Sequence, residues 1–392
     1  LIINSTGNAK FTGIVTATEF IPTVSQLSHR NIIINGACMI AQRGSSSTSS
    51  GYQTVDRFKQ GFNNLNESPT QQQTTVAAPS SPYNLPTSGA HPYTEGFRKA
   101  YYVQNGNQTT AAGANQDMST SYFIEGQDLV GSGWDYTDPN SYLTISFWVK
   151  VSVAQTYYVG FRLYGPDNAN QREYCFNFTP AAFTWTKVTH SIPGHASNTL
   201  RDDNSMGAFL QFIQYWGTNY TSSSRVNEAW QAKNNSSNYP DVAANWYNTN
   251  DASYTITGLQ LEVGSQATPF EHRTFADELR RCERYCETVL QGESDGSYMN
   301  NTVAYTTNQM YTIIRFRTPK RATNPSLVQS TGTDYYTLYR AGGSVNASGF
   351  TGVSWSNTHA SAIYNSMTVT EGQSGLLGSN NANALLLFTS EL

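Results

Sequence analysis

The chain has 392 residues, enough for two or three domains. Charged residues make up only 13% of it, the net charge is −4, and the densest basic cluster is TPKRA at residues 318–322, so no basic face for nucleic acid is indicated. Aromatic residues also make up 13%, which excludes ordinary disorder and favours an all-β fold, while no apolar run is long enough to span a membrane.

Residues 1–30 differ from the rest of the chain. The stretch AKFTGIVTATEF places β-branched and small residues around Gly13, which predicts two short strands joined by a turn. The segment has too few apolar residues for a core of its own, and such short strand pairs need partners for stability. We therefore expect a shaft or oligomerisation segment here. Because the chain begins with Leu1 and not with Met, we also expect further residues before it.

Residues 31–272 have the pattern of one β-sandwich or jelly-roll domain. The isoleucines at residues 32–34 predict a buried strand, and Asn35 and Gly36 after them predict a turn. Further along, apolar and polar residues alternate through residues 143–149, the period of a half-buried strand. Similar strand patterns recur between turn signals, which is typical of a sandwich or jelly roll. They are SYFIEGQDL, SYLTISFWVKVS, TYYVGFRLYG, EYCFNFTP, TWTKVTHSI, GAFLQFIQYWG and ASYTITGLQLEVG.

The polar residues 63–121 allow two interpretations. They include a long stretch rich in Pro, Ser and Thr, which is either a functional or partner-packed loop or a part of a sheet. The sequence leaves this choice open.

Residues 273–290 are predicted to form an amphipathic helix that links two domains. Pro269 ends the preceding strand, and Thr274 with Asp277 matches a loose capping box. Apolar residues then recur at helical spacing, at Phe275, Leu279, Cys282, Cys286 and Val289. Cysteines one helical turn apart are too distant for a disulfide, and no second pair completes a zinc site. Cys38, Cys175, Cys282 and Cys286 are therefore expected to be free thiols.

Residues 291–392 are predicted to form a C-terminal β-rich tip domain of short strands. The last of these, in the stretch NALLLFTSEL, is expected to be tied into a sheet. Together with the preceding segments this gives an all-β protein of four parts, a shaft segment, a sandwich, a linking helix and a tip.

The chain lacks the common catalytic and nucleotide-binding motifs. Asp135 with Asp138, and Asp202 with Asp203, are the acidic pairs that could cut a glycan. Both pairs stand in turn-like sequence, where Asp side chains bind their own backbone, and a structural Ca²⁺ ion is a further interpretation of such acidic loops. We predict no enzymatic activity and no cofactor, with structural calcium left open.

Several stretches resemble tail fibre proteins of tailed phages. NIIINGACMIAQRG with TVDRFKQGF resembles the opening of a domain common in these proteins, and ITGLQLEVGSQATPFEHRTFADELRRCERYC, FRTPKRATNPSL and LLLFTSEL continue the likeness. GNAKFTGIVTATEF is similar to a short repeat of fibre shafts, notably in phages of marine bacteria and cyanobacteria. The resemblance implies a virion structural protein that forms a homotrimer, with a jelly-roll domain like carbohydrate-binding modules and a distal β-rich tip.

The resemblance also implies a function. We expect a non-catalytic tail fibre protein that attaches the virion to the host, most simply by binding a cell-surface glycan, and otherwise a host protein. Its other partners would be copies of itself and virion tail proteins contacted through the N-terminal part, with no nucleic acid and no membrane. A purely structural or decorating fibre and a tailspike-like polysaccharide depolymerase are the alternatives.

Aromatic residues supply the candidate binding site, since sugars stack on exposed Trp and Tyr rings. Within the sandwich domain the predicted carbohydrate-binding residues lie where strands run into polar connections, at Tyr215, Trp216, Tyr220, Trp230 and Trp246. The tip domain offers an equal set near Gly-rich turns, at Tyr335, Tyr336, Tyr339 and Trp355.

The core-poor segment at residues 1–30 predicts that the chain is an oligomer. Light scattering of a protein that keeps these residues should give about three times the chain mass of 43.2 kDa, and a protein that starts at residue 31 should lose mass towards the monomer, since its strands lack partners. A monomer with residues 1–30 present would contradict the prediction.

Overall fold

The computed structural model describes residues 2–3, 9–10, 29–78, 91–292, 298–332, 335–365 and 368–392. Of the predicted shaft segment it describes two short antiparallel strands, β1 (Ile2–Ile3) and β2 (Ala9–Lys10). The predicted strands around Gly13 lie outside the described residues.

The described residues from 29 to 263 form a β-sandwich of two six-stranded antiparallel sheets. The first sheet has the strand order β13-β10-β9-β12-β7-β4, and the second has the order β11-β8-β14-β6-β5-β3. The strands are β3 (Ser46–Ser47), β4 (Phe58–Asn63), β5 (Thr70–Thr75), β6 (Lys99–Gln104), β7 (Asp117–Glu125), β8 (Tyr142–Val151), β9 (Tyr157–Leu163), β10 (Arg172–Phe178), β11 (Thr186–Pro193), β12 (Met206–Trp216), β13 (Gln231–Ala232) and β14 (Ser253–Val263). The predicted sandwich is thus confirmed.

The core between the two sheets follows the alternation read from the sequence. In β8, Leu143, Ile145 and Phe147 point into one large apolar cluster, where they meet residues of the first sheet such as Phe212. Trp148, on the opposite side of β8, packs in a separate small cluster outside the sandwich core. One face of each sheet therefore supplies the core, and the other faces outward.

Helices are few and short in the described chain. Helix α1 (Gly126–Val130) follows β7 directly, so the predicted strand SYFIEGQDL ends earlier than expected, at Glu125. Helix α2 (Asn245–Asn248) lies in the connection before β14, and a single 3-10 turn occupies Pro166–Asn168. Helix α3 (Phe275–Glu283) follows the sandwich.

The apolar run at residues 32–34 is buried at Ile33 and Ile34 and half-buried at Ile32, but it forms no strand, contrary to the prediction. Its backbone amides form isolated hydrogen bonds in place of a strand ladder. The Ile32 amide donates to the Leu261 carbonyl (2.9 Å), and the Ile34 amide donates to the Tyr122 hydroxyl (2.7 Å). The predicted turn follows, with Asn35 at a φ of 62°. A Cβ at Gly36 would lie 2.0 Å from the Leu259 carbonyl oxygen, so the close approach of this turn to β14 requires glycine.

The polar stretch left open by the sequence contributes strands. β5 and β6 lie inside the second sheet, although β5 reads Thr-Gln-Gln-Gln-Thr-Thr. Gln71 is fully buried, and its amide donates to the carbonyls of Ser49 (2.7 Å) and Gly51 (3.2 Å). Its side-chain oxygen accepts from Tyr101 (3.2 Å). Because its polar atoms have hydrogen-bond partners, this glutamine can be buried at a position where a strand pattern in the sequence would require an apolar residue.

Helix α3 starts as predicted but ends early. The Thr274 hydroxyl accepts a hydrogen bond from the Asp277 amide at 3.2 Å, which confirms the cap. The helix stops at Glu283, and Cys286 lies on strand β15 (Cys286–Gln291), so the prediction that residues 273–290 form one helix is wrong. The physical reason is tertiary pairing, because β15 is held by the backbone of the distant strand Leu385–Thr389, and this outweighs the helical spacing of its apolar residues.

The C-terminal unit consists of a three-stranded and a seven-stranded antiparallel sheet. Their orders are β15-β24-β18 and β20-β19-β23-β16-β17-β22-β21. The strands after β15 are β16 (Tyr298–Thr306), β17 (Gln309–Arg315), β18 (Ser326–Gln329), β19 (Tyr336–Arg340), β20 (Gly343–Ala347), β21 (Thr351–Trp355), β22 (His359–Asn365), β23 (Ser374–Ser379) and β24 (Leu385–Thr389). The last strand is part of a sheet, as predicted, and it is the central strand there. Leu386 and Phe388 on it pack in one cluster with Met310, Ile314 and Leu377 of the larger sheet.

Buried charges join the sandwich to the C-terminal unit. The Glu391 carboxylate pairs with Arg57 and, at 2.9 Å, with Arg43, both of the sandwich. Arg57 also donates to the Phe123 carbonyl at 2.6 Å, and its guanidinium lies 3.4 Å from the ring centre of Tyr285. All these side chains are buried or nearly so, hence the contact is desolvated and geometrically specific.

All four cysteines are buried and free, which confirms the prediction of free thiols. Burial raises the pKa of the Cys38 and Cys175 thiols to about 12, so both stay protonated and unreactive at neutral pH. Among the described helices, none combines the length and the hydropathy that a membrane span requires.

Removing the Glu391 carboxylate should destabilise the protein strongly, because Arg57 would keep a buried charge without a carboxylate partner and Arg43 would keep only Asp56, 3.5 Å away. For Glu391→Ala we expect a loss of about 3–5 kcal/mol in the free energy of unfolding, measured by urea unfolding followed by tryptophan fluorescence. Glu371→Ala, at an exposed turn position, is the matched control and should change it little. Equal stability of the two variants would contradict the role of the cluster.

Asp56, beside Arg43 in the same cluster, should make stability depend on pH. Burial raises the pKa of Asp56 to about 6, from 3.8, against the opposing effect of Arg43. The folded state then binds its proton more tightly than the unfolded state, so stability falls as the pH rises from about 4 to 6. Relative to the wild type, Asp56→Asn should gain about 2–3 kcal/mol between pH 4 and pH 7. Urea unfolding at each pH measures this, with Asp202→Asn, at an exposed position, as the control.

Candidate functional site

Three of the five sandwich residues predicted to bind sugar lie in the interior. Trp246 has no exposed surface, and its indole donates to the Ser253 carbonyl at 3.0 Å. Trp230 packs in the sandwich core and donates to the Pro193 carbonyl at 2.6 Å. Tyr215 is buried, with its ring 4.7 Å from that of Tyr247 and its hydroxyl bonded to the Gly113 carbonyl (3.0 Å). In this structure none of the three presents a ring face to solvent.

Trp216 and Tyr220 remain half-buried at the outward side of the first sheet. Their ring centres lie 5.7 Å apart, and Trp216 also packs 5.1 Å from Tyr239. Tyr239 lies over Gly160, where a Cβ would be 2.3 Å from its ring, so glycine is required for this approach. The connection between β12 and β14 thus covers part of the outward face and leaves Trp216 and Tyr220 partly accessible.

A second aromatic row crosses the same outward face. Phe123 and Phe209 are cross-strand partners with ring centres 4.8 Å apart, and Tyr52 adds a third ring 6.4 Å from Phe123. The Lys59 ammonium lies 5.2 Å from the centre of the Phe123 ring. Phe209 is buried, and Tyr52 and Phe123 are half-buried, so this row offers little free ring surface.

The most exposed aromatic surface belongs to the seven-stranded sheet. On its outward face lie four tyrosines and three aliphatic side chains, which we call the tyrosine face. Its members are Tyr298, Val303, Tyr305, Tyr311, Ile313, Tyr339 and Leu376. Tyr298 is 59% exposed, Tyr305 65% and Ile313 58%, in contrast to the buried rings of the sandwich.

Strand register explains why these residues share one face. Tyr339 pairs with Leu376, and Leu376 pairs with Asn301, so one row runs across β19, β23 and β16. Val303 pairs with Tyr311 in the next row, across β16 and β17. The residues between them along each strand, such as Ala304 and Met310, point to the core on the other side, as the two-residue period of a strand requires.

The rings on the tyrosine face stand in two pairs. Tyr298 and Tyr339 have ring centres 5.2 Å apart, and Tyr305 and Tyr311 have ring centres 4.9 Å apart. Beside the first pair is an open hollow of about 520 Å³, and a second hollow of about 710 Å³ lies next to Tyr311. These hollows also expose polar side chains, namely Asn301, Arg340, Ser374, Arg315, His359 and Ser361.

The predicted tip residues separate in the structure. Tyr339 lies on the tyrosine face, whereas Tyr336 is fully buried with its hydroxyl bonded to the carbonyls of Ser330 (3.1 Å) and Leu385 (2.8 Å). Trp355 packs 5.6 Å from Phe388 in the core of the unit, and Tyr335 is half-buried against Tyr336. The other members of the tyrosine face were not among the predicted residues.

Carboxylates of both acidic pairs form hydrogen bonds within their own turns. Asp135 accepts from the Thr137 amide (3.0 Å) and hydroxyl (2.7 Å), and Asp138 accepts from the Asn140 amide (2.9 Å). Asp203 forms two bonds of 2.8 Å with Arg201. These bonds hold the pKa of Asp135 and of Asp203 below the usual value, which suits turn chemistry and opposes a role as proton donor. In the residues with assigned positions, no three His, Cys, Asp or Glu side chains group as a metal site would require.

Comparisons with known proteins give structural likeness only. No protein-family model matches the chain, and no curated protein sequence matches it. Among solved structures, the enzymatically active domain of tailspike protein 4 from bacteriophage CBA120 aligns with 59% of this chain at 10% identity and a TM-score of 0.30, and the match covers 21% of that chain.

Two further similar structures are named for carbohydrates. The family 11 carbohydrate-binding module of a Clostridium thermocellum cellulosomal cellulase aligns with 58% of this chain at 14% identity and a TM-score of 0.26, over 98% of that module. A putative sugar binding protein from Bacteroides thetaiotaomicron aligns with 60% at 11% identity and a TM-score of 0.29, over its full length. At this level of similarity none of these proteins assigns a ligand or an activity to this chain.

Proposed function

We propose that this protein is a non-catalytic attachment protein of a phage tail fibre, and that it binds a host-surface glycan through the tyrosine face. The observation that carries the proposal is the exposure of Tyr298, Tyr305 and Tyr339 on one continuous sheet face. The virion context is supported by the sequence resemblance to tail fibre proteins.

The chemistry of the face suits a sugar. A tyrosine ring gives a flat apolar surface on which the C–H side of a sugar ring can stack, while its hydroxyl stays available for hydrogen bonds. Asn301 and Ser374 stand beside the Tyr339 ring in one hollow, and they can bond sugar hydroxyl groups. The tyrosines are also held in place by neighbouring rings, so little side-chain freedom is lost on binding.

The tyrosine face fits this role better than the predicted sandwich site. The rings of Trp230 and Trp246 pack in the core. The connection between β12 and β14 limits the access of a ligand to the rings of Trp216 and Tyr220. Trp216 and Tyr220 keep one feature in favour of a minor site, because their neighbouring rings are only half-buried. We therefore assign the main binding surface to the C-terminal unit and a secondary one to Trp216 with Tyr220.

Binding without cleavage is the second part of the proposal. It is supported by the hydrogen bonds that Asp135, Asp138 and Asp203 form with neighbouring residues in local turns. Neither acidic pair predicted from the sequence is therefore free to act on a glycan. The depolymerase alternative would need another carboxylate pair. The purely structural alternative would need the tyrosine face to be covered inside the virion, by a second copy or by another tail protein.

Single tyrosine substitutions should weaken attachment. For Tyr305→Ala and Tyr298→Ala we expect about tenfold weaker binding of the purified protein to host cells, since each loses one stacking ring. Periodate oxidation of the host surface should abolish wild-type binding. Phe183→Ala is the matched control, because Phe183 is a 70% exposed aromatic residue of the sandwich, away from the face, and its loss should leave binding unchanged.

Two results would count against the proposal. Wild-type binding that resists periodate would exclude a glycan receptor. Unchanged cell binding by both tyrosine variants, together with a loss of self-association in light scattering, would identify the tyrosine face as a contact between copies of the chain.

A further inference from the structure

A charged cavity of about 260 Å³ lies in the sandwich, between α1, α3 and the segment before residue 35. It is much larger than the roughly 30 Å³ that one water molecule occupies in the liquid. Its lining includes Arg30, Asp128, Arg281 and the hydroxyl-bearing Ser132. The cavity belongs to a different unit from the tyrosine face, and a ligand in it would be independent of the proposed function.

Arg281 is an arginine without a bonded partner in the described chain. It lies half-buried on α3, and in the part of the chain that the structure describes its guanidinium makes neither an ion pair nor a hydrogen bond. Two other arginines of this region are paired, Arg273 with Glu271 at 3.1 Å and Arg284 with Glu125 at 2.7 Å. The adjacent Arg280 also has no bonded partner in the described chain, but it is exposed, whereas Arg281 is half-buried and lines the cavity.

Only some of the N–H donors of Arg30 have hydrogen-bond partners. One of its terminal nitrogens donates to the Pro269 carbonyl at 3.0 Å. Its Nε is buried and has no hydrogen-bond partner among the described residues, although it forms an ion pair with the Glu262 carboxylate at 3.8 Å. A guanidinium carries five N–H donors. Arg30 and Arg281 together therefore bring unused N–H donors to the cavity, where Glu262 balances the charge of Arg30 and Asp128 is the carboxylate that shares the lining with Arg281.

We propose that this cavity binds a small oxyanionic group, a carboxylate, sulfate or phosphate, with Arg281 as the main ligand and Arg30 as the second. A guanidinium matches such groups with two parallel N–H···O bonds, and these are the stronger class of hydrogen bond. Asp128 opposes a bare anion, but it can accept hydrogen bonds from hydroxyl groups next to the anionic group. The combination fits an acidic sugar, which carries both.

The test is calorimetric titration of the full chain at constant ionic strength. The probes are sulfate, phosphate and glucuronate, with glucose as the neutral comparison. We expect saturable binding of glucuronate and none of glucose. Arg281→Gln should weaken the binding at least about tenfold, because it removes charge-assisted hydrogen bonds. Arg280→Gln is the matched control, since Arg280 is on the same helix and does not line the cavity, and it should bind like the wild type.

Two further variants keep the test decisive if Arg281→Gln folds poorly. Arg281→Lys keeps the charge but loses the two-pronged geometry, so we expect intermediate weakening. Asp128→Asn removes the opposing charge and should tighten the binding of sulfate severalfold.

The probes also separate the possible sources of the anion. Binding of all three anions supports recognition of the oxyanionic group itself, and binding of glucuronate alone supports an acidic sugar. No saturable binding of any anion by the wild type, or equal weakening by Arg280→Gln and Arg281→Gln, would overturn the proposal.

Discussion

The arrangement of the two units depends on the buried pairing of Arg57 with Glu391. Arg57 is fixed from three sides, by the Glu391 carboxylate, by the Phe123 carbonyl and by the face of the Tyr285 ring. Taking such charges out of water is expensive, and an ion pair recovers the expense only in a well-formed geometry. The cluster therefore contributes less to total stability than to specificity, since displacing the C-terminal unit would leave buried charges without partners.

The same contact makes the C-terminal sheet a firm support for its exposed face. β24, which precedes Glu391, is the central strand of the small sheet, and its Leu386 and Phe388 pack under the larger sheet. A second group of ion pairs strengthens this base, because Lys320 and Arg317 both contact Glu287 on β15. The tyrosines are thus presented on paired strands with a packed core behind them, and a preformed surface binds with a smaller loss of conformational freedom.

Sequence patterns predicted local features well and tertiary ones poorly. The alternation in β8 and the Thr274 cap depend on neighbouring residues, and both appear in the structure. Cys286 lies on a strand and not on the predicted helix, because a distant strand pairs with it. Trp246 packs in the sandwich core and not at the predicted binding site. Spacing along a chain carries no information on such distant partners. Nor does it show that Gln71 of β5 is satisfied by loop carbonyls.

The tyrosine face did leave a signal in the sequence. In residues 302–314 apolar side chains occur at both even and odd positions, and so on both sides of the strands. Ala304, Met310 and Ile314 point inward, whereas Val303 and Ile313 point outward. A sheet with one solvated face normally alternates apolar with polar residues, so apolar residues on both sides of these strands indicate an outward face that is more apolar than usual. Apolar side chains that are exposed together in one patch often mark a binding site. The mixture of tyrosine hydroxyls, amides and aliphatic groups favours a ligand that is itself amphipathic, as a sugar chain is.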